Sequence, residues 1–345
     1  MPRMAALVLS HDLHAISLHS ERIRVTRHAT EPDAPPVSQD VPLHDIDRVV
    51  IMGKPPLSMH VLAEFLDRGI PCFFATSHHR WRGSLLPDNN LNAARRIRQY
   101  EQGTDPAFSL RIARRLIHAK VRNSRRVLQR LAANREMTAD EAHVHAADAL
   151  AAYAREALAA DTVDVVRGIE GIAAAIYFRE LGRYFPESLP FRTRTRRPPR
   201  DPANALLSFG YSLLYGEMEC AVRTHGLDAA IGHLHADKTN TPALALDLIE
   251  PLRAPVVDLL VMNIVNHLMV KADGNFEVSE TDGGTYLNAQ GRRSYLMAYE
   301  NAMLRRFVLS KGLPHTTLRQ VLEQQVSLYL RALEQGEESD FFFLP

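Results

Sequence analysis

Gly232–Asp258 reads GHLHADKTNTPALALDLIEPLRAPVVD, and the fold of the larger part of the chain turns on it. Thr241-Pro242 has the form of a helix start: a capping hydroxyl, then proline at the first helical position, where a missing N–H is no loss. Leu244, Leu246, Leu248, Ile249 and Leu252 then supply apolar surface for burial. Residues three and four apart share a helix face, so Asp247, Glu250 and Arg253 can line one side together. His233 and His235 stand at the head of the stretch. Two acids and an imidazole offer hard oxygens with one nitrogen, a donor set that suits magnesium or manganese better than zinc. A third acid from elsewhere in the chain would complete such a site.

The helical character extends both ways. Upstream, Asp161 to Phe185 reads as a helix capped by Asp161 or Thr162, with Val163, Val166, Ile169, Ala173, Ile176 and Leu181 as its buried stripe. Glu170 falls at the edge of that stripe, where a carboxylate is partly desolvated and needs a cation. It either pairs with Arg167 or Arg179 or is the missing acid. Gly168 and Gly171 bracket it, each weakening the helix by about 1 kcal/mol relative to alanine, as glycines do where a backbone or ligand comes close. Phe108 to Ala133 is a long amphipathic helix with Leu110, Leu116, Ile117, Val121, Leu128 and Leu131 inward. Its other face carries Arg111, Arg114, Arg115, Lys120, Arg122, Arg125, Arg126 and Arg130, with no acid among them. Such a face is either simply solvated or relieved by a polyanion. Thr138–Ala160 is an alanine-rich packing helix whose His143 and His145, two apart, point to different sides.

Arg192–Arg200, RTRTRRPPR, has five arginines and no acid, and Pro198-Pro199 keep it from being a helix. Arginine forks bind phosphate bidentately, so this loop reads as a phosphate clamp ahead of a solvated linker. Asp201–Thr224 resumes helix, with Asn204 and Tyr211 near its start. Phe276–Val278 and Thr285–Leu287 flank Asp282-Gly283-Gly284 as a small hairpin. Arg292–Leu309 and Leu318–Leu333 are closing helices, and the tail Glu334–Pro345, with three phenylalanines, is a docked or partner-binding end.

The first part of the chain is different. Ala5–Leu9, Ala15–Leu18, Arg22–Arg27, Asp47–Met52 and Cys72–Ala75 are short strand-like runs. Ser58–Asp67 is an amphipathic helix closed by Gly69. Ala29–Asp40 is a proline-rich loop, and His78-His79 reads as a surface turn. The fold class is therefore α+β: a small N-terminal β domain (1–87) followed by a larger all-helical catalytic domain (88–345), its one strand signal the small hairpin.

Composition sets the outer limits. The 345 residues are 46% hydrophobic and 23% charged with a formal net charge of +1, so no global field points to nucleic acid and the uneven charge distribution matters more. Cys72 and Cys220 stand far apart without partners for a metal knuckle, which fits reduced, buried thiols of a cytoplasmic protein. The apolar run before Ser10 is too short for a signal peptide, and Pro255 to Val270 carries Asp258, Asn263, Asn266 and His267, so no membrane span is expected.

GIEGIAAAIYF at 168–178, RRPPRDPANALLSFGYSLL at 196–214, and GLDAAIGHLH followed by LALDLIEPLR together resemble the CRISPR-associated spacer integrases, the metal-dependent DNA endonucleases of the adaptation module. The resemblance covers nearly the whole chain and is sharpest in the helical part. It implies that Glu170, His235 and Glu250 bind Mg²⁺ or Mn²⁺, with Asp247 as the neighbouring catalytic acid and His233 as a rival for the role of His235. It implies that Asn204 and Tyr211 sit near DNA, beside Arg192, Arg194, Arg196, Arg197 and Arg200 of the loop and Arg122, Arg125 and Arg126 of the basic helix. The activity implied is joining of the 3′ hydroxyls of a short duplex to a CRISPR array, with nicking of branched DNA by the same site. The partners implied are double-stranded and branched DNA, a second copy of the chain held through the β domain, and the small second Cas protein. Apart from the resemblance, two readings stand: a metal-dependent nuclease acting on nucleic acid, and a non-catalytic DNA-binding scaffold whose acids sit in structural ion pairs.

Overall fold

The computed structural model describes residues 5–10, 13–27, 36–76, 81–87, 92–138, 140–236, 241–309, 313–336, 340–341 and 343–344. The chain forms two compact units, Met1–Ala93 with Arg223–Gly226, and Ala94–Val222 with Leu227–Pro345.

The first unit holds β1 (Ala5–Leu9), β2 (Leu13–His19), β3 (Arg22–Arg27), β4 (Val37–Pro42), β5 (Ile46–Met52), α1 (Met59–Asp67), β6 (Cys72–Ala75) and β7 (Trp81–Leu85). One sheet runs in the order β1-β5-β6-β7, parallel except for β7, and α1 makes the crossover that parallel β5 and β6 require. The other is an antiparallel meander, β2-β3-β4. Leu9, Ile23, Leu43, Ile46, Val49, Phe65, Ile70 and Cys72 pack between the elements with no exposed surface. Ser58 Oγ caps α1 by accepting from Val61 N at 3.3 Å.

Part of the expected proline-rich loop is strand. Val37–Pro42 has little β propensity, but cross-strand bonds hold it: Arg24 donates twice to Asp40 at 2.7 and 2.9 Å, and Thr26 meets Ser38 at 3.0 Å. Residues 29–35 of that expectation, and His78-His79, lie outside the described residues; Trp81 and Arg82 open β7.

The second unit contains α2 (Ala93–Gly103), α3 (Pro106–Asn134), α4 (Glu141–Ala159), α5 (Val163–Gly182), α6 (Pro202–Thr224), α7 (Ala243–Ile249) and α8 (Leu259–Asn266). After them come β8 (Phe276–Val278), β9 (Thr285–Leu287), α9 (Ala289–Leu304), β10 (Arg306–Val308), β11 (His315–Thr317) and α10 (Leu318–Gln335). The unit is thus helical with two short hairpins rather than all-helical; the second, β10–β11, ends the expected Arg292–Leu309 helix at Leu304. Asp105, Asp140 and Thr162 cap α3, α4 and α5, and these three helices pack on one another through α3's buried stripe, Phe108, Ile112, Leu116, Ile117, Val127 and Leu128 among it. Among the described residues, no helix is long and apolar enough to cross a membrane.

Between α7 and α8 the chain is not one regular helix. A 3₁₀ turn at Glu250–Leu252 is followed by a π-helical stretch at Arg253–Asp258. Pro251 and Pro255 lack the N–H that would bond four residues back, so the winding tightens and then widens around them. The start of α7 is shifted as well: it begins at Ala243, with Pro242 rather than Thr241 at the cap position.

Candidate metal centre and nucleic-acid interface

Three helices bring charge to one point. Glu170 on α5, at the half-buried edge expected of it, does not pair with Arg167 or Arg179; its partner is the ammonium of Lys120 from α3. The same ammonium lies 2.7 Å from Glu250 Oε2, and the Arg253 guanidinium lies 3.0 Å from Glu250 Oε1. Burial alone would raise the Glu250 carboxyl, but Arg253, Lys120 and His235 outweigh it and hold it at about 2. Glu250 Oε2 is buried with the Lys120 ammonium as its neighbouring cation. A buried carboxylate, a second carboxylate sharing one cation with it, and a nearby imidazole are a donor set that fits a hard divalent ion. They are not a closed cage: among the described residues, no three ligand side chains are gathered ready around one centre.

Asp247 organises the histidine segment rather than facing outward. With no exposed surface, it accepts from the backbone N–H of His233 at 2.6 Å, Leu234 at 2.9 Å and His235 at 3.1 Å, and its Oδ1 lies 2.7 Å from His235 Nδ1. A carboxylate at Nδ1 assigns the proton to that nitrogen and leaves the Nε2 lone pair as the donor of His235. Arg167 completes the loop by donating to Leu234 O at 2.8 Å. His233 faces inward. It is 1% exposed, with Nδ1 3.0 Å from Ser109 Oγ and Nε2 2.9 Å from the Tyr329 hydroxyl, and burial draws it down to about 4. Both of its ring nitrogens are used inside the core.

Asp258, at the end of the π-helical stretch, is a third buried carboxylate. Asp258 accepts from the hydroxyls of Tyr177 at 2.7 Å and Tyr211 at 2.5 Å, and burial pushes it up to about 6. Tyr177 follows Glu170 by two turns on α5, so the π-helical stretch is tied to the helix that supplies Glu170. The guanidinium carbons of Arg194 and Arg253 lie 5.4 and 5.1 Å from the Tyr211 ring centroid, within cation–π range. Tyr211, expected near DNA, thus spends its hydroxyl inside the protein.

The arginine segment is a built loop with an outer and an inner set. Asn204, fully buried, accepts from Thr195 N at 2.9 Å and from Arg194 Nη1 at 2.8 Å, and donates to Thr193 O at 2.8 Å. Arg194 also donates to Ser208 Oγ at 3.1 Å. Asn204 and Arg194 therefore shape the loop instead of reaching out from it. The β8–β9 hairpin holds the other end through Thr285 N to Pro199 O at 2.8 Å. Arg192, Arg196, Arg197 and Arg200 are exposed, and among the described residues no carboxylate pairs with the first three. On α3 the cationic face is partly spoken for: Arg125 donates to Ala147 O, Arg115 pairs with Asp340, and Arg122 lies 4.1 Å from the Phe343 ring. Arg126 is exposed. The tail is docked there, Phe341 being 1% exposed and Leu344 N donating to Asn123 Oδ1 at 2.8 Å.

Sequence reasoning missed Lys120 as a site residue, because one lysine among seven arginines looks like more of the same. Its signal was chemical: in a helix otherwise using arginine, the compact point charge is the exception. Asp258 enters the sequence reading only as a charge that excludes a membrane span.

A family model described as CRISPR associated protein Cas1 matches residues 7–301. The CRISPR-associated endonuclease Cas1 of Mycobacterium tuberculosis (strain ATCC 25618 / H37Rv) is 32% identical over 302 residues, 86% of each chain. The structure of a CAS1 protein from Thermotoga maritima superposes with a TM-score of 0.75 at 25% identity, covering 96% of this chain and 97% of that one. A chain of a Cas6-RT-Cas1--Cas2 complex superposes with a TM-score of 0.77 at 25% identity, covering 100% of this chain and 36% of that longer one. The matched span holds Lys120, Glu170, His235, Asp247 and Glu250 together with the arginine loop, and the chain belongs to the CRISPR-associated Cas1 family.

Proposed function

We propose that this chain is a metal-dependent DNA endonuclease and integrase of CRISPR spacer acquisition, joining the 3′ hydroxyl ends of a short duplex to a CRISPR array and nicking branched DNA with the same groups. The observation that carries the reading is the convergence of Glu170 and Glu250, from helices far apart in sequence, on one cation beside a histidine oriented by Asp247. Glu170, Glu250 and His235 Nε2 would hold Mg²⁺ or Mn²⁺. Such an ion lowers the pKa of an attacking hydroxyl or water and offsets charge building at phosphorus. Arg253 keeps Glu250 ionised and fixed. Arg192, Arg196 and Arg197 grip phosphates without reading bases, which suits an enzyme that must accept any spacer sequence.

The partners follow from the same reading. A small second Cas protein is supported by the likeness to a chain of a complex that is named for Cas2 among its parts. Two joining reactions at the two ends of one spacer call for two copies of the site, and the β unit, with no chemistry of its own, is proposed as the dimer surface. Cytoplasmic action goes with two buried cysteines, neither in a disulfide. The competing scaffold reading draws on the ion pairs of Glu250 with Lys120 and Arg253. Metal-dependent joining of a 3′-ended duplex to a supercoiled array plasmid separates the two. Purified Glu170→Ala, His235→Ala and Glu250→Ala proteins, each folded by circular dichroism, are expected to bind DNA and not join it. Undiminished joining by any one of them removes that residue from the site, and binding without joining by the native chain favours the scaffold.

A further inference from the structure

Lys120 places its ammonium where the two acids meet. The ammonium donates to Glu170 and lies 2.7 Å from Glu250 Oε2, so one compact point charge on a flexible stem occupies the place between the two carboxylates. The backbone around it, in contrast, is pinned. Asn123, three residues on along α3, donates to Pro251 O at 2.6 Å, which fixes α3 against the residue that follows Glu250. The four-carbon stem of Lys120 can therefore withdraw its charge without moving either helix.

We infer that Lys120 is a built-in competitor of the divalent ion, a residue that sets the metal affinity of the centre and couples it to DNA. An ammonium and a divalent cation cannot share two carboxylates without strong repulsion, because the electrostatic interaction at such separations in a partly buried site is large. Lys120 therefore weakens ion binding as long as it stays between Glu170 and Glu250. A phosphate arriving from the arginine loop offers the ammonium another anion, frees both acids, and raises the affinity for the ion. By linkage, the ion raises the affinity for DNA by the same factor. This rests on the proposed metal-dependent reading of the centre and adds the regulation of that centre.

The test is Mn²⁺ affinity measured by electron paramagnetic resonance on the full chain, with and without a short DNA duplex. Lys120→Met keeps the stem and removes the charge; it is expected to bind Mn²⁺ at least tenfold more tightly than the native chain without DNA. DNA is expected to tighten Mn²⁺ binding in the native chain and to add little in the variant. Lys120→Arg, which keeps the charge, is expected to stay near the native affinity. Unchanged or weaker binding in Lys120→Met overturns the inference. Should that variant be too unstable to purify, Lys120→Gln carries the same test, since it keeps a donor to Glu170 and removes only the charge. Glu250→Gln is the control for the underlying reading. If it binds Mn²⁺ like the native chain, the centre itself is misassigned; if it loses Mn²⁺ while Lys120→Met gains nothing, Lys120 alone is misread.

Discussion

Asp247 is where fold and chemistry can be pulled apart. Its buried carboxylate accepts from three consecutive backbone N–H groups and sits 2.7 Å from His235 Nδ1. Asp247→Ala leaves those three donors without an acceptor, and a buried donor left unmade costs roughly 1–3 kcal/mol. Relief of the desolvated charge offsets part of this, so a destabilisation of about 3–5 kcal/mol is expected, in the range seen when one member of a buried charged pair is removed. Asp247→Asn is gentler. Its carbonyl oxygen can still accept from His233 N and Leu234 N, while its amide must turn an N–H toward His235. That N–H makes Nδ1 the acceptor and moves the imidazole proton to Nε2, the nitrogen proposed for the metal. The fold is then kept at a cost of about 1–2 kcal/mol, while Mn²⁺ affinity drops roughly 10–100-fold, the usual effect of removing a partner that orients a ligating histidine. Urea unfolding followed by circular dichroism gives the first quantity, manganese titration the second, and the ¹⁵N shifts of the His235 ring report the tautomer directly. An Asp247→Asn protein with native manganese affinity and the proton moved to Nε2 would refute the assignment of His235 as a donor.

Two further expectations concern other parts of the second unit. Replacing Arg192, Arg196 and Arg197 together by alanine should lower the slope of log affinity against log salt by roughly 2–3, at about 0.9 for each phosphate no longer held, with the fold intact; Arg194→Ala should instead lower the melting temperature, because its bonds to Asn204 and Ser208 build the loop. For pH, His233 is held neutral to about 4 by burial, so the unfolded chain binds its proton first. Stability is complete above about pH 6.5 and falls as pH drops toward 4, by up to about 1.4 kcal/mol per pH unit. Asp258, raised by burial to about 6, works in the opposite sense, so the comparison of native chain and His233→Gln by denaturant titration isolates the histidine: the variant's acid limb should be flatter, and an unchanged limb would show that His233 does not govern it.

What the sequence made legible was what local pattern determines. The hairpin at 276–278 and 285–287 is bounded as its Asp-Gly-Gly turn requires, and the Thr162 cap and apolar stripe of α5 stand where periodicity places them. Strand β4 was not legible, because Ser38 and Asp40 acquire their conformation from Thr26 and Arg24 on the neighbouring strand. The 3₁₀ and π winding after Ile249 was hidden for a different reason: a helical wheel assumes one pitch, and two prolines change it at Glu250 and Arg253, so the supposed common face of Asp247, Glu250 and Arg253 divides. Asp247 turns to the histidine loop, while Glu250 and Arg253 pair with each other. The placement of Glu170 beside Lys120 depends on packing between α3 and α5, and no spacing rule reports which cation a half-buried acid meets across a helix interface.

Gly168 and Gly171 flank Glu170, and a methyl group built on either meets nothing within 4 Å. Alanine at both would strengthen α5 by about 1 kcal/mol each, and a search for heat-tolerant variants of this protein would reach for those positions first. Both glycines are exposed, and residues one and two apart do not share a helix face, so the methyl groups would point away from Glu170. A sturdier protein obtained that way should keep its centre unobstructed, so the softness of α5 at these two positions is slack in the scaffold rather than room kept for a ligand.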